Sequence, residues 1–237
     1  MSNGKIGSPM RLTSFVLAAA LVLCGCGDNA SSGNPLVSED PSSDTSTAMH
    51  QNAPVIVMLG DSLTAGFQLP AAAALPAALQ RDFEARGVPA RFVNAGVSGD
   101  TTADGLNRYE WSVEGANADL LVVALGANDF LGDLPADVPK RNLAAILTKA
   151  KADNLPAVLI GVAIPGEAKD EREAAYAAIY PQLASEFGVP YFPDMLAPVA
   201  GKPGLLQQDG VHPTSEGVEA MAGAITGFLA PLVEDLS

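Results

Sequence analysis

Four apolar runs that do not alternate with polar residues constrain this chain most: "VIVML" (55–59), "RFVNA" (91–95), "LLVVAL" (120–125) and "AVLIGVAI" (157–164). A β-rich run without a period of two reads as a strand buried on both faces, the situation of a parallel sheet covered by helices. "VPYF" (189–192) reads as a short fifth strand. Between and after the runs lie helical patterns at about 76–87, 102–113, 137–153, 170–187 and 214–231, with Thr101 or Thr102, Asp137 and Thr214 as candidate N-caps. Strand and helix therefore alternate five times, which predicts an α/β fold: a doubly wound, three-layer α/β/α sandwich on a five-stranded parallel sheet.

Such a sheet binds its ligand beyond the carboxyl ends of the strands, where strand order reverses. In a flavodoxin-like order strands one and three are neighbours there. Strand one runs into "LGDSLTAG" (59–66), and strand three is followed by "GANDF" (126–130), so Ser62 and Asn128 should share one crevice. Ser62 taken alone is equally well a turn residue. A serine nucleophile needs a base, most often histidine. Of the two histidines, His50 lies in a polar N-terminal stretch, whereas His212 lies in "QQDGVHPTSEG" just before the last helix. Asp209, three residues upstream, can orient its ring. The competing reading is a loop whose Asp and His cap a turn and a helix. Asn128 can offer an amide to an oxyanion, and Gly99 in "NAGVSGDTT" (94–102) can present a backbone N–H without a Cβ in the way. Each is an ordinary turn or cap residue by itself, and the set together favours chemistry.

The blocks "GDSLTAG", "NAGVSGDTT", "GANDF" and "DGVHPT" resemble, in order and spacing, the four blocks of the SGNH (GDSL) hydrolases. The resemblance spans about residues 54–232 and is closest to the bacterial thioesterase I, lysophospholipase and arylesterase branch. It implies Ser62 as nucleophile, His212 as base, Asp209 as its partner, and the Ser62 N–H, Gly99 and Asn128 as oxyanion donors. Where the third block often reads G-G-N-D, this chain has Ala127. Ser98 reads as a turn residue, and Asp61, Asp100 and Asp129 as caps and loop supports. There is no G-x-S-x-G elbow, P-loop or dinucleotide fingerprint. One histidine and no cysteine beyond residue 52 argue against zinc, and no cofactor is implied.

The N-terminus reads as a leader. Lys5 and Arg11 precede "LTSFVLAAALVL" (12–23), too short for a spanning helix but suited to a secretory apolar region. "LCGC" (23–26) resembles the lipobox of bacterial lipoproteins, so residues 1–25 would be removed and Cys26 would carry lipid. A Cys24–Cys26 redox pair and two incidental thiols are the other readings. Residues 26–52, rich in Ser, Thr, Asp, Asn and Pro, read as a disordered tether spanning roughly 25–30 Å. The catalytic domain is then 53–237. Net charge is −14 for the chain, and −16 once Lys5 and Arg11 leave with the leader. Such a charge excludes nucleic acid as a partner and leaves membrane association to the lipid. Gly27 after the lipid-bearing Cys leans, by family habit, toward the outer membrane, facing the periplasm.

The expected reaction is hydrolysis of carboxylic esters through an acyl-enzyme on Ser62, with aryl esters, lysophospholipids and acyl thioesters as substrate classes. A polysaccharide or peptidoglycan O-acetylesterase is the alternative, and a non-catalytic binding lipoprotein the reading from another class. The segments 130–139 and 163–171 should flank the crevice; the resemblance implies that they line an acyl groove, with Phe130 and Leu131 opposite Ile164 and Pro165. Asp133, Asp137, Glu167 and Asp170 in these segments should disfavour anionic leaving groups such as coenzyme A.

Overall fold

The computed structural model describes residues 53–161 and 170–236. The segments expected to be leader and tether, Cys26 included, lie outside them, as do Ile164, Pro165 and Glu167. Five parallel strands, β1 (Val55–Gly60), β2 (Arg91–Gly96), β3 (Leu120–Ala124), β4 (Ala157–Ile160) and β5 (Tyr191–Phe192), hydrogen-bond in the order β2-β1-β3-β4-β5. Order reverses between β1 and β3, whose register pairs Gly60 with Ala124 at their carboxyl ends. The helices are α1 (Ser62–Ala65), α2 (Leu75–Arg86), α3 (Thr102–Asn107), α4 (Tyr109–Ser112), α5 (Ala127–Leu131), α6 (Asp137–Ala152), α7 (Glu171–Ala177), α8 (Ile179–Phe187) and α9 (Ser215–Glu234). On this strand order the right-handed crossover rule requires α2 on one face of the sheet and α3, α6 and α8 on the other. The packing of α2 on α9, α3 on α6, and α6 on α8 follows that division.

Every residue of β1, β3 and β4 is buried, as unalternated runs require. β2 departs from the expectation: Arg91 and Asn94 are exposed, because β2 is an edge strand. Two of its outward N–H groups are covered by side chains instead. Gln80 Oε1 accepts from Phe92 N at 2.9 Å, and Asn94 Oδ1 from Gly96 N at 2.9 Å. This blunts an edge that would otherwise template pairing.

Two expected helices are each divided. The first breaks at Arg108, next to the weak helix formers Gly105 and Asn107. The second breaks at Ala178, because Pro181 has no N–H to continue the ladder and is accommodated in the first turn of α8. Thr101 caps α3 in a reciprocal box with Asp104, and Thr214 caps α9 through Gly217 N. Asp137 is not a cap; it sits inside the first turn of α6 and pairs with Arg141.

Candidate active site

Ser62 is the first residue of α1, directly off β1. The turn is tight because Gly60 and Gly96 lie under it. A Cβ on Gly60 would stand 2.0 Å from Thr64 Oγ1, and one on Gly96 2.4 Å from Ala65 N. Asp61 caps α1, its Oδ1 accepting from Leu63 N at 3.0 Å. Its carboxyl is fully buried, Oδ2 has no partner among the described residues, and desolvation pushes its pKa up to about 6.

His212 arrives from a turn closed by the Leu206–Pro213 bridge and by Gln207 N donating to the His212 carbonyl at 2.7 Å. Within it Asp209 Oδ1 accepts from Val211 N at 2.9 Å and His212 N at 3.0 Å. Asp209 Oδ2 lies 2.8 Å from His212 Nδ1, and His212 Nε2 lies 2.9 Å from Ser62 Oγ. A carboxylate at Nδ1 fixes the proton there, so Nε2 is left to accept from the serine hydroxyl. The backbone donations of His212 and Val211, then the ring's own hydrogen bond, hold Asp209 down at about 2. It is therefore ionised at neutral pH.

The loops after β2 and β3 are stitched together. Asn128 Nδ2 donates to the Asp100 carbonyl at 2.9 Å, leaving its second N–H without a partner among the described residues. Buried Asp129 accepts from Thr102 N at 2.8 Å and Thr102 Oγ1 at 2.6 Å. Arg108 donates to Asp100 Oδ2 at 2.6 Å and to the Gly60 carbonyl at 2.9 Å. Between these ties Gly99 adopts φ +91°, a left-handed conformation that glycine takes without strain, and sits exposed. Asp61, Asp100 and Asp129 are thus loop supports, as read from the sequence, and Ser98 lies in a turn.

A cavity of about 200 Å³ opens from Ser62, Asn128 and His212. Phe130 and Leu131 line it as expected. Leu196, Val199, Leu206 and Val211 also line it, and the sequence reading missed them. Their signal was a cluster of apolar residues in a turn-rich, aperiodic stretch (195–211), which carries no helix or strand period. Also missed were Phe67, whose ring lies 4.3 Å from that of His212, and Gln207, which donates to the Phe67 carbonyl at 3.0 Å. The acidic rim is weaker than its count suggests. Asp133 pairs with Arg172 and Asp137 with Arg141, while Asp170 caps α7 through Glu173 N.

An orienting carboxylate, an imidazole and a serine hydroxyl in one hydrogen-bonded row, at the switch point of a 2-1-3-4-5 sheet, define the SGNH class of hydrolase. Residues 58–220 match the GDSL-like Lipase/Acylhydrolase family, and the chain belongs to that family, as a carboxylic ester hydrolase. It is 35% identical over 181 residues to the Thioesterase 1/protease 1/lysophospholipase L1 of Escherichia coli (strain K12), covering 76% of this chain and 86% of that protein. It is 32% identical over 170 residues to an arylesterase of Vibrio mimicus, covering 72% and 85%. Among solved structures, that of TesA superposes with a TM-score of 0.71 at 30% identity, covering 75% of this chain and 99% of that one.

Proposed function

We propose that Ser62 is the nucleophile of an acyl-transfer reaction to water, with His212 as general base, Asp209 as its orienting partner, and the N–H groups of Ser62, Gly99 and Asn128 as oxyanion donors. The observation that carries this reading is the row Asp209–His212–Ser62, at 2.8 and 2.9 Å, standing at the mouth of an apolar cavity. Nε2 takes the Ser62 proton as Oγ attacks the ester carbonyl. The ionised Asp209 carboxylate stabilises the imidazolium that results. The oxyanion gathers on donors already fixed by the Asn128–Asp100 and Asp129–Thr102 ties. Collapse expels the alcohol, which receives the proton from Nε2. The same base then activates water to release the acid.

The acyl chain occupies the cavity lined by Phe130, Leu131, Leu196, Val199 and Leu206. An apolar lining of this extent favours medium-chain acyl groups over acetyl, which is why an O-acetylesterase is the weaker reading. Substrates are aryl esters and lysophospholipids, with acyl thioesters of neutral leaving groups. With a net charge of −16 once Lys5 and Arg11 leave with the leader, the enzyme disfavours acyl-coenzyme A. The domain is tethered to the bacterial envelope through lipid on Cys26, facing the periplasm from the outer membrane.

The test is kcat/KM for p-nitrophenyl esters of graded length, lysophosphatidylcholine and acyl-coenzyme A, at low and high salt. The expected result is a rise with chain length up to the size of the cavity, and a deficit on acyl-coenzyme A that narrows with salt. A preference for acyl-coenzyme A at low salt overturns the charge argument. A best rate on acetate esters overturns the acyl-cavity argument.

A further inference from the structure

The wall of the cavity is held from behind by α7, and this hold does not belong to the catalytic row. The guanidinium carbon of Arg172 lies 4.0 Å from the centre of the Phe130 ring. Its Nη2 donates to the Phe130 carbonyl and lies 3.2 Å from Asp133 Oδ1. One turn on, the Tyr176 ring meets Phe130 edge-on at 5.1 Å and 74°, and its hydroxyl donates to the Leu134 carbonyl at 2.7 Å. Arg172 and Tyr176 stand four apart and so share one face of α7. Between them they fasten the ring and both ends of residues 130–134. This loop needs fastening: Asp133 has φ +56°, a left-handed conformation unfavourable for a residue with a side chain, and Leu131 is 62% exposed.

We propose that Arg172 is a specificity-determining residue: by stacking on Phe130 and tying down the 130–134 loop, it fixes the Phe130 wall of the acyl cavity and so sets how strongly the enzyme discriminates by chain length. The proposal rests on the assignment of the cavity to the acyl chain. Arg172 acts through Phe130 and does not touch the reacting atoms. A cation over an aromatic face holds the ring's orientation as well as its position. A wall with a fixed ring contacts successive methylenes of the substrate, and a loose wall does not. An acetyl group fills only the Ser62 end of the cavity and does not depend on that wall.

The experiment compares Arg172→Ala, Phe130→Ala and the double variant with the unsubstituted protein on p-nitrophenyl acetate, butyrate, hexanoate and octanoate. A fully buried methylene corresponds to about fourfold in kcat/KM, so losing contact with one or two of them predicts a loss on octanoate of about tenfold. The loss should appear chiefly in KM, with acetate unchanged to within about twofold. Arg172→Ala should add nothing to the chain-length profile of Phe130→Ala. If the alanine variant does not fold, Arg172→Gln, which keeps a donor for the Phe130 carbonyl but no charge, should show the same tilt at about threefold. A tilt in the unsubstituted protein with a parallel profile in the Arg172 variants, or an equal loss on all esters, overturns the role of Arg172. A flat profile in the unsubstituted protein overturns the acyl-cavity assignment, and the Arg172 proposal with it.

Discussion

Replacing Asp61 with Asn should stabilise this enzyme in a pH-dependent way. The buried carboxyl of Asp61 has one oxygen on Leu63 N and one with no partner among the described residues, and its pKa is raised from 3.8 to about 6. Desolvation is the main cause, opposed by the Leu63 hydrogen bond and by attraction to His212, and reinforced by repulsion from Asp100. Below pH 3.8 the carboxyl is protonated in the folded and unfolded chains alike. As pH rises from there to about 6, the unfolded chain has released the proton and the folded one has not, so stability falls. Above that window the penalty is complete, at about 3 kcal/mol. Asn keeps an oxygen for Leu63 N and carries no charge. The gain should therefore be near zero at about pH 4 and reach about 3 kcal/mol at about pH 8, equivalent to about 6–12 °C in Tm for a domain of this size. Thermal unfolding of both proteins across that range measures it. A Tm difference that does not change with pH would falsify the buried-charge argument. Ionised Asp61 also attracts the imidazolium, so the stabilised variant should lose activity severalfold, a trade of stability against function.

Asn128→Ala should lower kcat by at least about 10²–10³, since it removes one oxyanion donor and the tie to the Asp100 carbonyl that joins the two loops; steady-state kinetics beside a thermal melt separate the two effects. Asp209→Asn should lower kcat by about 10³–10⁴, because an amide cannot hold the Nδ1 proton or stabilise the imidazolium. Retention of more than a tenth of the activity would show that Asp209 only shapes the turn. Cys26→Ser should abolish metabolic palmitate labelling and leave the chain soluble or unprocessed, as followed by membrane fractionation. Continued lipidation would refute the lipobox reading.

Legibility in the sequence followed the local character of each signal. β1, β3 and β4 were readable because a strand covered on both faces must be apolar throughout. The row Asp209–His212–Ser62 was readable because Ser62 stands two residues beyond the end of β1, and Asp209 and His212 stand three residues apart in one turn. The helix break at Ala178 was foreshadowed by Pro181, whereas the one at Arg108 has no proline to announce it. The exposure of β2 depends on its place at the edge of the sheet, which its own residues do not encode. The same holds for the wall of Leu196, Val199, Leu206 and Val211, where position in space replaces periodicity, and for Arg172 on Phe130, forty-two residues apart in the chain.

The central claim is that Ser62 forms the acyl-enzyme. Treating the intact domain with a fluorophosphonate and mapping the labelled peptide by mass spectrometry tests it directly. One adduct per chain is expected, on Ser62, formed in step with loss of esterase activity and absent from His212→Ala. An adduct on Ser98 or Ser215, or full inactivation with Ser62 unmodified, would contradict it.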